Sequence, residues 1–494
     1  MNVHQAFRFE LGPCNEARSK LASHAGAARF VYGWGLRLVK GTLGARSTCE
    51  QLALRQGATM AEAQAYATEV VGPVPWSFYS LRKRWNAEKH TVAPWWRECS
   101  KQAFAYGLAN LANGFKAFFE SRSGKRKGPK VEFPTFKHKG ARRSLRSGTA
   151  YIVDGRHVRL PKIGTVRTKS PTGALLSKVQ AGTGRVLSAT VSETAGRWYV
   201  SFGCEVEREQ GTPGLPAEVV GVDLGVKSLA VLSTGEVVPN PEHLSRYARR
   251  MARLGRQCSR RRGPGRGRAP SKRWQRSERA LAKVHAEVAN ARSDGLHNLT
   301  TRLATTYGTV VVEDLAVKAM TGRPKPEPDG AGGYEHNRAR PKAGPNRAVL
   351  DVPPGELRRQ LAYKCQWYGS KLSVADRWYP SSRTCSGCKA VRAKLSLSER
   401  TFTCEHCGLV IDRDLNAALN LAAIVSGTAS GAGTDQGDLA NAQGEAWHGS
   451  GQVASLNCED GSGAVRPGKT ATAAERSTAA ARALMSAQLQ RRTV

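Results

Sequence analysis

Negative charge is scarce in this chain. Against 76 lysines and arginines stand 39 aspartates and glutamates in 494 residues, a formal net charge of +37. Such an excess repels itself unless a polyanion neutralises it, and contacts with phosphates release condensed counterions. Nucleic acid is therefore the expected partner. No apolar run approaches the roughly 20 residues of a membrane span, so no membrane partner is expected. The opening Met1-Asn-Val-His-Gln-Ala-Phe lacks the apolar core of a secretory leader. A disulfide framework is missing too: Cys14, Cys49, Cys99, Cys204, Cys258, Cys365 and Cys458 are scattered, which suits a reducing compartment. The expected setting is the prokaryotic cytoplasm, in association with the nucleoid.

The other four cysteines are spaced regularly. Cys385-Ser-Gly-Cys388 and Cys404-Glu-His-Cys407 form a C-x2-C-x15-C-x2-C pattern, the spacing of a closed four-thiolate zinc ribbon. Directly behind it comes Ile411-Asp-Arg-Asp414-Leu-Asn416-Ala-Ala, two carboxylates and an Asn at the start of a helix-forming run. Two further acids end buried, β-branched runs: Asp223 in Val219-Val-Gly-Val-Asp223 and Glu313 in Thr309-Val-Val-Val-Glu313. One strand-end acid would mean little, because acids often cap turns. Three of them, with a ribbon ahead of the third, fit a nuclease. Phosphodiester hydrolysis by two metals needs converging carboxylates around Mg²⁺ or Mn²⁺ ions roughly 4 Å apart. Hard oxygen ligands suit those ions, and no His cluster lies nearby to hold a catalytic zinc.

A chain this long is expected to bury several cores. Residues 1–10 alternate as one strand, with Val3, Phe7 and Phe9 on one face. Helical stripes follow at Leu21, Ala25, Ala28, Val31 and Trp34, and at Leu108, Leu111, Phe115 and Phe119. Between them, residues 40–75 read as an added helix or loop. The aromatic-basic set Trp76, Tyr79, Arg82, Trp85, Trp95, Trp96 and Arg97 suits either core packing or stacking on bases. Short strands around Phe133–Lys139, Val158–Gly164, Val186–Val191 and Arg197–Phe202 predict a small β-barrel. From Arg246 to Arg276 the chain has no acid and reads as a surface that neutralises nucleic-acid backbones. Residues 320–348 read as a mobile loop. Residues 428–494, rich in Gly, Ala, Ser and Thr, read as a disordered tail.

Four segments, Gly221-Val-Asp223-Leu-Gly225, Val311-Val-Glu313-Asp314-Leu315, Tyr379-Pro-Ser-Ser-Arg-Thr-Cys385 with its knuckles, and Asp412-Arg-Asp414-Leu-Asn416, resemble the RuvC-type nuclease of the TnpB family. Members are transposon-encoded RNA-guided DNA endonucleases, ancestral to type V CRISPR effectors. Ala27-Ala-Arg-Phe-Val-Tyr-Gly-Trp34 and Phe133-Pro-Thr-Phe-Lys-His-Lys139 are similar to that family as well. The resemblance covers roughly residues 1–427 and implies an α/β multidomain protein. Its parts would be a wedge-like β-barrel (1–10 and 123–212), a helical recognition lobe inserted in it (11–122), an RNase H-like core (213–378 and 408–427) and a zinc-ribbon target-binding module (379–407). By position it makes Asp223, Glu313 and Asp414 the catalytic, Mg²⁺-binding acids. Arg413 and Asn416 become supporting or substrate-contacting residues, and Asp412 a helix cap. It further implies a structural Zn²⁺ on Cys385, Cys388, Cys404 and Cys407, with guide RNA and target DNA as partners. A miniature CRISPR effector, a guided DNA-binding protein without cleavage and a DNA transposase are the neighbouring readings.

Overall fold

The computed structural model describes residues 1–427 apart from 139–142, 266–267, 327, 331–332, 336–338 and 397. The expected tail at 428–494, with Cys458, lies outside the described residues. These fall into two compact units that divide between Glu207 and Arg208, and both mix helices with sheets.

In the first unit, β1 (Asn2–Leu11) leads into a single 41-residue helix, α1 (Asn15–Arg55). Then come α2 (Met60–Val71), α3 (Phe78–Val92) and α4 (Lys101–Arg122). Residues 40–75 are thus the end of α1 and a short helix capped by Thr59, whose side chain and Glu62 satisfy each other's backbone N–H. Trp76, Trp85 and Trp95 pack into the helical core with Trp34, Phe104 and Phe115, so for them core packing is the correct reading.

The strands that follow are β2 (Ser144–Ser147), β3 (Tyr151–Asp154), β4 (His157–Leu160) and β5 (Gly164–Arg167). After α5 (Gly173–Gln180) come β6 (Gly184–Thr194) and β7 (Arg197–Glu207). They form two antiparallel sheets, β1-β7-β6-β2 and β3-β4-β5. Among the described residues, one isolated bridge, Leu11 to Thr168, links them. No ladder joins β2 to β3 among the described residues, so the expected barrel is not closed. Phe133 and Phe136 are not in a strand either; Phe133 packs on the helices instead.

The second unit is built on a five-stranded sheet. Its members are β8 (Leu215–Asp223), β9 (Ser228–Leu232), β10 (Val237–Pro239), β11 (Tyr307–Glu313) and β12 (Lys371–Ala375), in the order β10-β9-β8-β11-β12. The first three strands are antiparallel, whereas β8, β11 and β12 run parallel. Parallel neighbours need a crossover. Between β9–β10 and β11 it is made by α6 (His243–Arg260) and α7 (Lys272–Thr306); between β11 and β12 by α8 (Val317–Met320), α9 (Ala339–Asp351) and α10 (Pro354–Tyr368). The end of the expected 320–348 loop, from Ala339 on, is helix α9. Val220, Val222, Val310 and Val312 face Leu296, Leu299 and Leu303 of α7 and Leu357 and Leu361 of α10. Val219 and Val311 face the last helix, α11 (Arg413–Val425), through Leu421 and Ile424. Strands covered on both faces explain the continuous apolar runs in the sequence. Hairpin β13 (Thr401–Thr403) and β14 (Val410–Asp412) carries the second cysteine pair and leads into α11.

Candidate active site and metal centre

Neighbouring parallel strands end together, and that brings the first two acids together. Val222 of β8 pairs with Val312 of β11, so Asp223 and Glu313 follow side by side at the carboxyl edge of the sheet. The third acid arrives on α11, which lies directly on β8. Gly221 makes that approach possible: a Cβ there would sit 2.0 Å from Ala418 O and 2.6 Å from Ala422 N. Asp412 is the N-cap of α11, its Oδ1 accepting from the N–H groups of Asp414 (2.9 Å) and Leu415 (3.0 Å). The carboxylate of Asp412 is engaged in the cap, and Asp414 follows in the first turn of α11.

Electrostatics link the three. The Asp223 carboxyl is pushed up to about 8, first by burial and then by the charges of Glu313 and Asp414. A buried carboxyl crowded by two like charges resists ionisation until a cation joins them. The donor set of hard oxygens fits Mg²⁺ or Mn²⁺. Arg413 occupies part of that role, its Nη2 lying 3.2 Å from Asp414 Oδ1.

Other side chains support the acids, some of them, such as Ser381 and Asn420, without a local signal in the sequence. Ser381 donates its hydroxyl to Glu313 Oε1. Asp314 takes hydrogen bonds from both Arg358 and Arg377; partial burial opposes its ionisation, but the two guanidiniums outweigh that and hold it below the usual carboxylate range. Asn416 is fully buried, donating to Thr384 O (2.7 Å) and accepting from the Ser386 N–H (2.9 Å). It joins the first knuckle to α11, so a substrate contact by Asn416 is not what the structure supports. Asn420, one turn on, donates to Ser381 O (2.9 Å) and Thr384 O (2.6 Å).

The cysteines converge. All four Sγ atoms lie within 4.8 Å of one another, with Cys385–Cys407 at 3.6 Å and Cys388–Cys404 at 3.5 Å. A tetrahedron with Zn–S of about 2.3 Å has sulfur–sulfur edges of roughly 3.8 Å, so the set fits a zinc ion. The knuckles are built alike: the Lys389 N–H donates to Cys385 O and the Gly408 N–H to Cys404 O, with φ of 65° and 70° at Lys389 and Gly408. Among the described residues this is the one group of three or more such ligands drawn so close.

Comparison with known proteins places the chain in a family. A relative from Mycobacterium tuberculosis, described as "Putative RNA-guided DNA endonuclease", is 37% identical over 85% of this chain and 86% of its own length. The chain belongs to the TnpB family. A relative with the same description from Streptomyces pristinaespiralis is 32% identical over 87% of this chain and 92% of its own. A third, "Putative RNA-guided DNA endonuclease InsQ" of Escherichia coli, is 30% identical over 85% of this chain and 92% of its own length. Family models match as well. One, of the IS605 OrfB type and described as "Probable transposase", covers residues 201–323 and so includes Asp223 and Glu313. The TNB domain of Cas12f1-like proteins covers 355–421, with the four cysteines and Asp414. A helix-turn-helix model covers 1–46, although here those residues form β1 and one unbroken stretch of α1. Among solved structures, a Cas12f1–sgRNA–target DNA complex aligns with a TM-score of 0.42 and 14% identity over 85% of this chain and 99% of that one, a loose likeness. No helix among the described residues is long and apolar enough to cross a membrane.

Proposed function

We propose that this chain is an RNA-guided DNA endonuclease that hydrolyses phosphodiester bonds at Asp223, Glu313 and Asp414. One observation carries the assignment of the site: the pairing of Val222 with Val312 ends β8 and β11 side by side at Asp223 and Glu313, α11 brings Asp414 onto the same strand, and burial first, then the charges of Glu313 and Asp414, pushes Asp223 up to about 8. The strand order, antiparallel then parallel, supports an RNase H-like (RuvC) core. The relatives' description supports guide RNA and target DNA as partners. Divalent cations held there would lower the pKa of a water and stabilise the leaving oxygen.

This chain's residues do the rest. Asp223 and Glu313 offer ligands from a rigid sheet edge, and Ser381 fixes the orientation of Glu313. Arg413 neutralises Asp414, while Asp412 holds the turn that presents it. The ribbon grips target nucleic acid, its four cysteines binding zinc. The strand sheets and helical lobe of the first unit serve as wedge and recognition lobe for the RNA.

The test compares cleavage and guide-dependent gel shift for Asp223→Ala, Glu313→Ala and Asp414→Ala. Each is expected to lose cutting and keep binding, because each supplies a metal ligand and little phosphate affinity. Full cutting by Asp414→Ala with none by Asp412→Ala would move the third acid to Asp412. The "Probable transposase" description of the matching model favours a second reading, strand transfer, which would yield joined strands in that assay instead of free ends.

A further inference from the structure

The segment between β12 and the ribbon leaves Glu313 and returns to it. Ala375, the last residue of β12, pairs with Glu313 across the sheet, and Ser381 hydrogen-bonds the Glu313 carboxylate. Between these anchors stands Trp378, 84% exposed, the most exposed large hydrophobic side chain among the described residues. Its backbone is held firmly. The Trp378 N–H donates to Asp376 Oδ1 (2.8 Å) and the Tyr379 N–H to Asp376 O (3.1 Å). Tyr379 packs against the cluster of Val311, Ala375 and Leu421.

Immediately before Trp378 in the chain, Arg377 shares the single carboxylate of Asp314 with Arg358, two guanidiniums to one carboxylate and so a net positive charge. An indole this exposed gains little from burial in its own fold. Its root is fixed beside a catalytic carboxylate, and its neighbourhood attracts phosphate. Those features together describe a base-stacking platform. In a duplex both faces of a base are covered by its neighbours, so only an unpaired base can lie on the ring.

We propose that Trp378 stacks on one unpaired base of the DNA strand presented to Asp223, Glu313 and Asp414, with the Arg377 guanidinium near that nucleotide's phosphate. The inference rests on the nuclease reading and adds one contact to it: a base face held by Trp378.

Guide-loaded wild type, Trp378→Ala and Trp378→Phe are compared on target duplexes with one abasic site stepped along the scissile strand. Loss of one stacked base is expected to slow cleavage roughly tenfold in Trp378→Ala, with guide-dependent duplex binding unchanged and most of the rate restored by Trp378→Phe. One abasic position should reproduce the loss in wild type and add nothing in Trp378→Ala. Wild-type cutting by Trp378→Ala, or abasic penalties of the same size in both proteins, overturns the proposal while the nuclease reading stands.

The second measurement needs no cutting. In an Asp223→Ala background, a short single strand carrying 2-aminopurine should be quenched on binding, and adding Trp378→Ala should relieve that quenching. Equal quenching in both proteins refutes the platform. Absence of guided cutting by wild type refutes only the nuclease reading.

Discussion

On the proposed function, Asp223 is the residue where stability and activity oppose each other. Its carboxyl is pushed up to about 8 by burial, Glu313 and Asp414, against about 3.9 in an unfolded chain. Between those values the folded state binds more protons than the unfolded one, so this group's stabilisation is present below about pH 4 and is lost as pH rises towards 8. Magnesium-free protein should therefore melt at a lower temperature at pH 8 than at pH 5 on this residue's account. Asp223→Asn should raise the melting temperature at pH 8, with the gain shrinking towards pH 5, and should abolish cleavage. An Asn variant no more stable than wild type at pH 8 would contradict the crowding of the three acids. The acids themselves are legible in the sequence because a carboxylate is costly at the end of a buried β-branched run and so stands out there. Asp412 is legible as a cap because it starts a helix-forming run. Ser381, Asn420 and Gly221 are not, because each acts through a partner brought close only by the fold.

Helix α11 and the ribbon behave as one element. Asn416 and Asn420 both donate to Thr384 O, next to Cys385, so the zinc knuckle and the helix bearing Asp414 share a buried hydrogen-bond network. Cys385→Ser should lower zinc content and, by loosening that network, slow cleavage as well as weaken target binding. Asn420→Ala should keep its zinc yet lose stability by about 1–3 kcal/mol, because the Ser381 carbonyl loses its Asn420 donor while Thr384 O keeps Asn416. Elemental analysis beside thermal unfolding checks both, and an Asn420→Ala protein as stable as wild type would uncouple helix from ribbon.

At this scale the alternation of β1 and the stripes of α1 and α4 are readable, since periodicity is local. The barrel is not. Whether β2 meets β3 depends on long-range pairing, and those strands are four residues long. The helix at 339–351 is masked by Gly and Pro, including Pro345 inside it.

For the whole molecule, charge and lineage point the same way. A net +37 needs a polyanion, and the family supplies one in a guide RNA. The protein should purify with a discrete structured RNA and bind it with a steep salt dependence, since each neutralised phosphate releases a counterion. Random cellular fragments, or a shallow dependence on salt, would speak against a dedicated guide. The most direct test of the central claim is cleavage of a defined DNA duplex by ribonuclease-treated protein, with and without a matching guide RNA added back. The account predicts cutting only with the matching guide and magnesium, and none by Asp223→Ala. Equal cutting without RNA, or undiminished cutting by Asp223→Ala, would contradict it.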